Sequence, residues 1–260
     1  MLEKNEKKFC DAHFHYLPSL KSAAFNPDNN WIGISCAHSK EEWLAQKSAS
    51  EDYEIKLSYG IHPQQIGSVD FNCEESFIFL TKLLENNEIC AIGEIGFDLF
   101  TDEYKAYADL QKEYFNKQIN LAQKYNKPVI IHCRKANNKL FEYSKELKKL
   151  PAVLFHSFMG TSIEAQSLIK YGINAFFSFG KQIFNNNKKV LSCVKELPLE
   201  RLLLETDAPY QFLKGEKKTY VNEISKIYEG AFNLRQDNLN FCDFSNKIFE
   251  NLLSLLYEQR

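Results

Sequence analysis

The chain has 260 residues, 44% of them hydrophobic and 25% charged, which is enough to bury one substantial core and is an ordinary length for a single α/β barrel domain. A formal net charge of −2 gives no global basic field and argues against tight nonspecific duplex binding, so any attraction for a nucleic acid falls to metal ions and a few local Lys and Arg. Seven Cys without a CxxC pair read as reduced thiols in a cytosolic protein, and neither the charged start at residues 1–8 nor any apolar run suggests export or a membrane span.

The first predicted strand, residues 9–15, reads Phe-Cys-Asp-Ala-His-Phe-His. Side chains two apart on an extended strand share a face, so His13 and His15 can converge on one ion. Alone, such a pair is as often a satisfied polar pair. Residues 16–30, with Pro18 and Pro27, read as a loop over the strand ends. A strand at 31–36 precedes a helix at 40–52 with Ser39 as its cap, and a third strand at 56–61 is stopped by Pro63 just after His62. A helix at 74–86 leads to a fourth strand from residue 90, which delivers Glu94. The longest helix spans 103–125, and Pro128 opens a fifth strand that ends at His132. The alternation continues with a Lys-rich helix at 137–150, a strand at 153–155 ending at His156, a helix at 162–171 and a strand at 173–179. A helix at 187–197, a strand at 201–205 leading to Asp207, and helices at 219–232 and 243–259 complete the chain.

Mostly apolar strands separated by amphipathic helices imply a parallel sheet covered on its outer face, and eight such units in this length fit a (β/α)8 TIM-type barrel of one domain, residues 1–260. All C-terminal strand ends then meet at one mouth, which gathers His13, His15, Glu94, His132, His156 and Asp207. Four imidazoles and two carboxylates without a thiolate suit Zn2+, Mn2+ or, less comfortably, Mg2+. That is too many donors for one catalytic ion with an open position, but enough for two ions about 3.5 to 4 Å apart. Glu94 is the natural bridge, with His13, His15 and Asp207 on one ion and His132 and His156 on the other. A water between the ions would attack an electrophile, with Asp207 taking its proton, so Glu94 and Asp207 are the expected catalytic residues.

Asp-x-His-x-His at 11–15, Gly-Ile-His-Pro at 60–63, Gly-Glu-Ile-Gly-Phe-Asp at 93–98, Ile-His-Cys-Arg at 131–134, His-Ser-Phe-Met-Gly at 156–160 and Glu-Thr-Asp-Ala-Pro-Tyr at 205–210 together resemble the TatD family of metal-dependent deoxyribonucleases, in the amidohydrolase superfamily. The resemblance spans almost the whole chain. It implies a TIM-type barrel with a two-metal site that hydrolyses phosphodiester bonds of DNA, often from the 3′ end of single strands. It also implies metal-ligand roles for the six residues above, substrate-phosphate contact for His62 and Arg134, and an outer position for Asp98. The chain departs from the family at Gln64, where a second His is usual, and in Val-Asn-Glu-Ile at 221–224, which lacks the usual proline.

The bland readings are a strand-end or helix cap for Asp98, a carboxylate pairing for Arg134 and a solvent-facing His38. Phe158, Phe179, Phe184 and Tyr210 are candidates to stack bases, and Lys181, Lys188, Lys189, Lys214, Lys217 and Lys218 to flank the mouth. Three functions follow from these residues. The first is a nuclease on single-stranded or frayed DNA, cytoplasmic and without an obligate protein partner; the others are a metallohydrolase of another ester or amide and a metal-binding scaffold.

Overall fold

The structure, a computed structural model, describes residues 7–17 and 30–257. Most of the expected loop after the first strand, and residues 1–6 and 258–260, lie outside the described residues. One eight-stranded sheet runs in chain order, every neighbouring pair parallel: β1 (Phe9–Phe14), β2 (Trp31–Ala37), β3 (Ile55–Tyr59), β4 (Ala91–Asp98), β5 (Val129–Arg134), β6 (Val153–Phe155), β7 (Ala175–Phe179) and β8 (Leu202–Leu204). β2, β4 and β7 are buried along their whole length, as expected of a parallel sheet enclosed by helices. Just beyond β8 the chain meets β1: the Asp207 N–H donates to the His13 carbonyl at 2.9 Å, and the His15 N–H donates to the Ala208 carbonyl at 2.8 Å. The barrel therefore draws together through backbone bonds of three expected site residues.

The helices α1 (Lys40–Ala49), α2 (Cys73–Glu85), α3 (Asp102–Ala106), α4 (Ala108–Lys124), α5 (Asn137–Glu142), α6 (Ser144–Leu147), α7 (Ser162–Lys170), α8 (Lys188–Glu196), α9 (Ile224–Leu234) and α10 (Phe241–Tyr257) surround it. Their starts obey the capping rules read from sequence. Ser39 Oγ accepts from the Glu42 N–H, and Thr161 and Glu164 form a reciprocal capping box. In α10, Phe244, Ile248, Leu252 and Leu255 face the barrel, each worth about 1.5–3 kcal/mol when buried. No helix among the described residues is long and apolar enough to cross a membrane.

Two expected helices are broken. The 103–125 helix divides at Tyr107, because the Gln111 side chain donates to the Tyr104 carbonyl at 3.0 Å while also bonding both backbone groups of Asp98. Tyr107 lies against Gly67, where a Cβ would come within 2.5 Å of its ring. The 137–150 helix breaks at Tyr143, whose ring packs on Phe97 and Phe115 under the barrel wall.

The functionally decisive irregularity is in β4. Its register against β5 shifts between Gly93 and Ile95, so Glu94 is an unpaired bulge residue aimed into the mouth. The shift requires close approach of the two strands. At Gly96, with φ of +143°, a Cβ would lie 2.0 Å from the His132 carbonyl oxygen, so only glycine fits.

Candidate metal centre

Each expected donor follows the last residues of a strand or lies within them; His15, Glu94, His132, His156 and Asp207 line one cleft of about 750 Å³ at the C-terminal mouth, and His13 lies fully buried directly behind it against Glu94. The Glu94 carboxylate is buried at its centre. Its Oε1 lies 3.2 Å from His13 Nε2, 3.1 Å from His15 Nε2 and 3.2 Å from His38 Nε2. Its Oε2 lies 3.6 Å from His62 Nε2, 3.4 Å from His132 Nδ1 and 2.6 Å from His156 Nε2. These are all six histidines of the chain. Asp207 Oδ1 stands 3.5 Å from both His13 Nε2 and His15 Nε2.

Donors that share a transition-metal ion at about 2.0–2.1 Å must sit roughly 3 Å from one another. His13, His15 and Glu94 meet this condition, with the two Nε2 atoms 3.1 Å apart, and His62, Glu94 and His132 form a second group with all donor atoms within 4.8 Å. The partners behind the imidazoles decide which nitrogen each neutral ring offers. The Cys36 carbonyl, 3.0 Å from His15 Nδ1, can only accept, which leaves His15 Nε2 with its lone pair toward the cleft. The Cys36 thiol, 3.3 Å from His13 Nδ1, backs the other half of the pincer. Asp98 Oδ2, 3.0 Å from His132 Nε2 and held by the Gln64 amide at 2.7 Å, turns His132 Nδ1 inward. His62 differs, since its Nδ1 accepts the Gln64 N–H at 3.2 Å, so the neutral ring presents an N–H at Nε2.

The charges reinforce this picture. Burial opposes ionisation of Glu94 and Asp207, but the surrounding imidazoles hold both carboxyls well below the usual range. Burial also opposes protonation of His15 and His132, yet Asp207 and Glu94 raise the first to about 10, and Asp98 and Glu94 the second to about 9. For His62, burial and the neighbouring His132 prevail and lower it to about 3. Burial likewise lowers His156 to about 4 despite its contact with Glu94. Protons on some imidazoles thus supply the positive charge that divalent cations would otherwise bring, and the donor set fits such ions.

The structure brings together all six expected ligands. Arg134 reaches the cleft from the rim, exposed, with its guanidinium 3.6 Å above the Phe100 ring. Other expectations are corrected. His38 does not face solvent: its side chain is 13% exposed and its Nε2 is buried against Glu94. The available signal was that it follows β2 as His62 follows β3. Phe158 and Phe179 are core residues, packed there because they continue the barrel's apolar layers, whereas Phe184 and Tyr210 remain half exposed. Lys181 is buried and bonded to Glu216 at 2.6 Å and Glu223 at 3.0 Å, so it anchors the loop after β8 and offers no free charge. Sequence reasoning missed Cys36, and it read Gln211 only as a departure from the family pattern at the rim, with no link to Asp207. The Gln211 amide donates to Asp207 Oδ2 at 2.8 Å and Ser157 Oγ at 2.5 Å, contacts across loops that no local pattern announces.

The family model described as TatD related DNase matches residues 10–256. An uncharacterized metal-dependent hydrolase of Methanocaldococcus jannaschii is 31% identical over 259 residues, covering 91% of this chain and 96% of its own. The 3′-5′ ssDNA/RNA exonuclease TatD of Escherichia coli is 30% identical over 190 residues, covering 73% of this chain and 71% of its own. Among solved structures, the TatD homologue YJJV from Escherichia coli superposes with a TM-score of 0.79 at 25% identity, covering 95% of this chain and 97% of that one.

Proposed function

The chain belongs to the TatD related DNase family of metal-dependent hydrolases, and from that premise we propose that it is a deoxyribonuclease that removes nucleotides from the 3′ end of single-stranded or frayed DNA. The observation that carries the reading is the convergence of every imidazole in the chain, with Asp207, on the single carboxylate of Glu94. The relative named as an exonuclease on single-stranded DNA and RNA supports the substrate class.

Two divalent ions would be held here, one by His13, His15, Asp207 and Glu94, the other by His132, His156 and Glu94. When bound they would supply Lewis-acid pull on phosphate oxygens and lower the pKa of a water molecule. The protein does the rest. Asp207, kept ionised by its imidazole neighbours and oriented by Gln211, takes the proton of the attacking water. His62 is neutral and offers its Nε2 proton to a phosphate oxygen. Arg134, supported on Phe100 at the rim, meets the next phosphate with a planar fork of donors. Burial of Asp207 and His62 strengthens their interactions relative to water.

The test is degradation of 3′- and 5′-end-labelled single-stranded DNA by chelator-stripped protein with Mg2+, Mn2+ or Zn2+ restored, beside Asp207→Ala. Metal-dependent shortening from the 3′ end by wild type alone is the expected result. Binding of two ions without DNA cleavage by wild type would overturn it in favour of another ester or amide substrate.

A further inference from the structure

The six imidazoles form a closed ring around Glu94. Successive ring centroids are 4.8 Å apart for His13 and His15, 4.9 Å for His15 and His38, 4.7 Å for His38 and His62, and 4.5 Å for His62 and His132. The circle completes through His132 and His156 at 5.5 Å and His156 and His13 at 4.2 Å. Four members of this circle carry the metal-ligand roles assigned above. The remaining two, His38 and His62, are consecutive and make one continuous arc facing the cleft.

Their chemistry is matched. The two rings lie 32° from parallel, and both direct Nε2 toward Glu94, at 3.2 Å and 3.6 Å. His38 Nε2 is buried and without a hydrogen-bond partner, although Glu94 Oε1 is near enough to be one. It also lies outside the group of His13, His15 and Glu94 whose donor atoms are all within 4.8 Å of one another. A buried ring nitrogen left unbonded costs free energy unless something entering the cleft satisfies it. The backbone holds the ring in place, because the His38 N–H is tied to Glu42 Oε2 at 2.8 Å at the head of α1.

We propose that His38 is a substrate-binding residue, a second imidazole that meets the scissile phosphate beside His62, itself lying outside both groups of donors close enough to share an ion. This deepens the nuclease reading and rests on it. An arc of two imidazoles would hold two oxygens of one tetrahedral phosphate, which a single imidazole cannot do. The position makes His38 a determinant of phosphate over planar carbonyl substrates.

The experiment compares wild type, His38→Ala and His38→Gln in Zn2+ binding by calorimetry, in affinity of the zinc-loaded protein for inorganic phosphate, and in KM and kcat on a single-stranded oligonucleotide. The expected result is unchanged zinc stoichiometry and affinity in both variants, with phosphate binding weakened about tenfold or more in His38→Ala, the scale of a hydrogen bond to a charged group. KM for the oligonucleotide should rise correspondingly, and His38→Gln, which keeps an N–H at similar reach, should recover part of both losses. Weakened zinc binding in His38→Ala would make the residue a ligand and overturn the proposal. Phosphate affinity and KM unchanged in a variant that still binds zinc would overturn it too, while leaving the nuclease reading intact. A wild type that loads zinc but cleaves no DNA removes that reading and this one together.

Discussion

The two ends of the barrel treat buried polar groups in opposite ways. Toward the N-terminal end, three buried side chains among the described residues are matched to fixed backbone partners. The Tyr228 hydroxyl accepts from the Cys10 N–H at 3.0 Å and donates to its carbonyl at 3.1 Å, and Asn251 caps the Leu199 and Leu202 carbonyls at 2.6 Å and 2.9 Å. Asn174 likewise bridges the Pro151 carbonyl and Arg201. At the mouth, imidazoles outnumber the carboxylates facing them, and among the described residues His38 Nε2, His156 Nδ1 and Gln211 Oε1 are buried with no hydrogen-bond partner. These lower groups find their partners within the chain. The mouth is completed by what binds there, and the contrast separates residues that serve stability from those that serve chemistry.

That contrast can be broken at its strongest point first. Glu94→Ala removes the one group that all six histidines share, and cleavage should fall by on the order of 10³-fold or more with circular dichroism unchanged. Residual activity within tenfold of wild type would deny the mouth its centre.

Asp98→Asn tests the outer partner of His132. With two ions bound as proposed, it should weaken one of them by about 10–100-fold while the other binds normally, as read by zinc titration. Equal weakening at both ions would mean that Asp98 acts on the whole site.

A smaller effect comes from protons. His15 and His132, held at about 10 and about 9, keep their protons at neutral pH, and ion binding must expel them. Zinc affinity should therefore rise with pH up to that range and fall as pH drops. Calorimetry in buffers of different ionisation enthalpy should show net proton release, and its absence would refute the charge balance derived for the mouth.

The mildest test is at the other end. Tyr228→Phe strands the Cys10 backbone groups and should cost about 1–3 kcal/mol of stability, seen as a lower Tm, with kcat and KM unchanged. Lost activity at unchanged Tm would abolish the distinction between the ends.

The path from sequence to site explains which residues were legible. His13 and His15 are two apart on a strand, and Pro, Gly and β-branched punctuation mark where each strand stops, so ligands at strand ends can be read one at a time. His38 ends β2 in the same way, but no neighbouring motif residue accompanies it, and its burial depends on β1 and β3 lying on either side. Cys36 escaped notice because its two contacts use a side chain and a carbonyl across strands. The long helices were drawn too long because Gln111 and Tyr143 satisfy tertiary partners that helix periodicity does not see.

By itself, then, the sequence determined the βα alternation, the eight-stranded parallel barrel and which imidazoles and carboxylates stand at the strand ends, because periodicity and strand ends are local properties. Only the tertiary structure decided how the donors are shared. Closure of β8 on β1 through His13 and Asp207 and the out-of-register bulge that aims Glu94 are long-range events. So is the choice of nitrogen on each ring, made by Cys36, Asp98 and Gln64 from neighbouring strands and the loop after β3. A hydrogen bond across the barrel is set by backbone positions far apart in the chain, and those exist only once the barrel has formed.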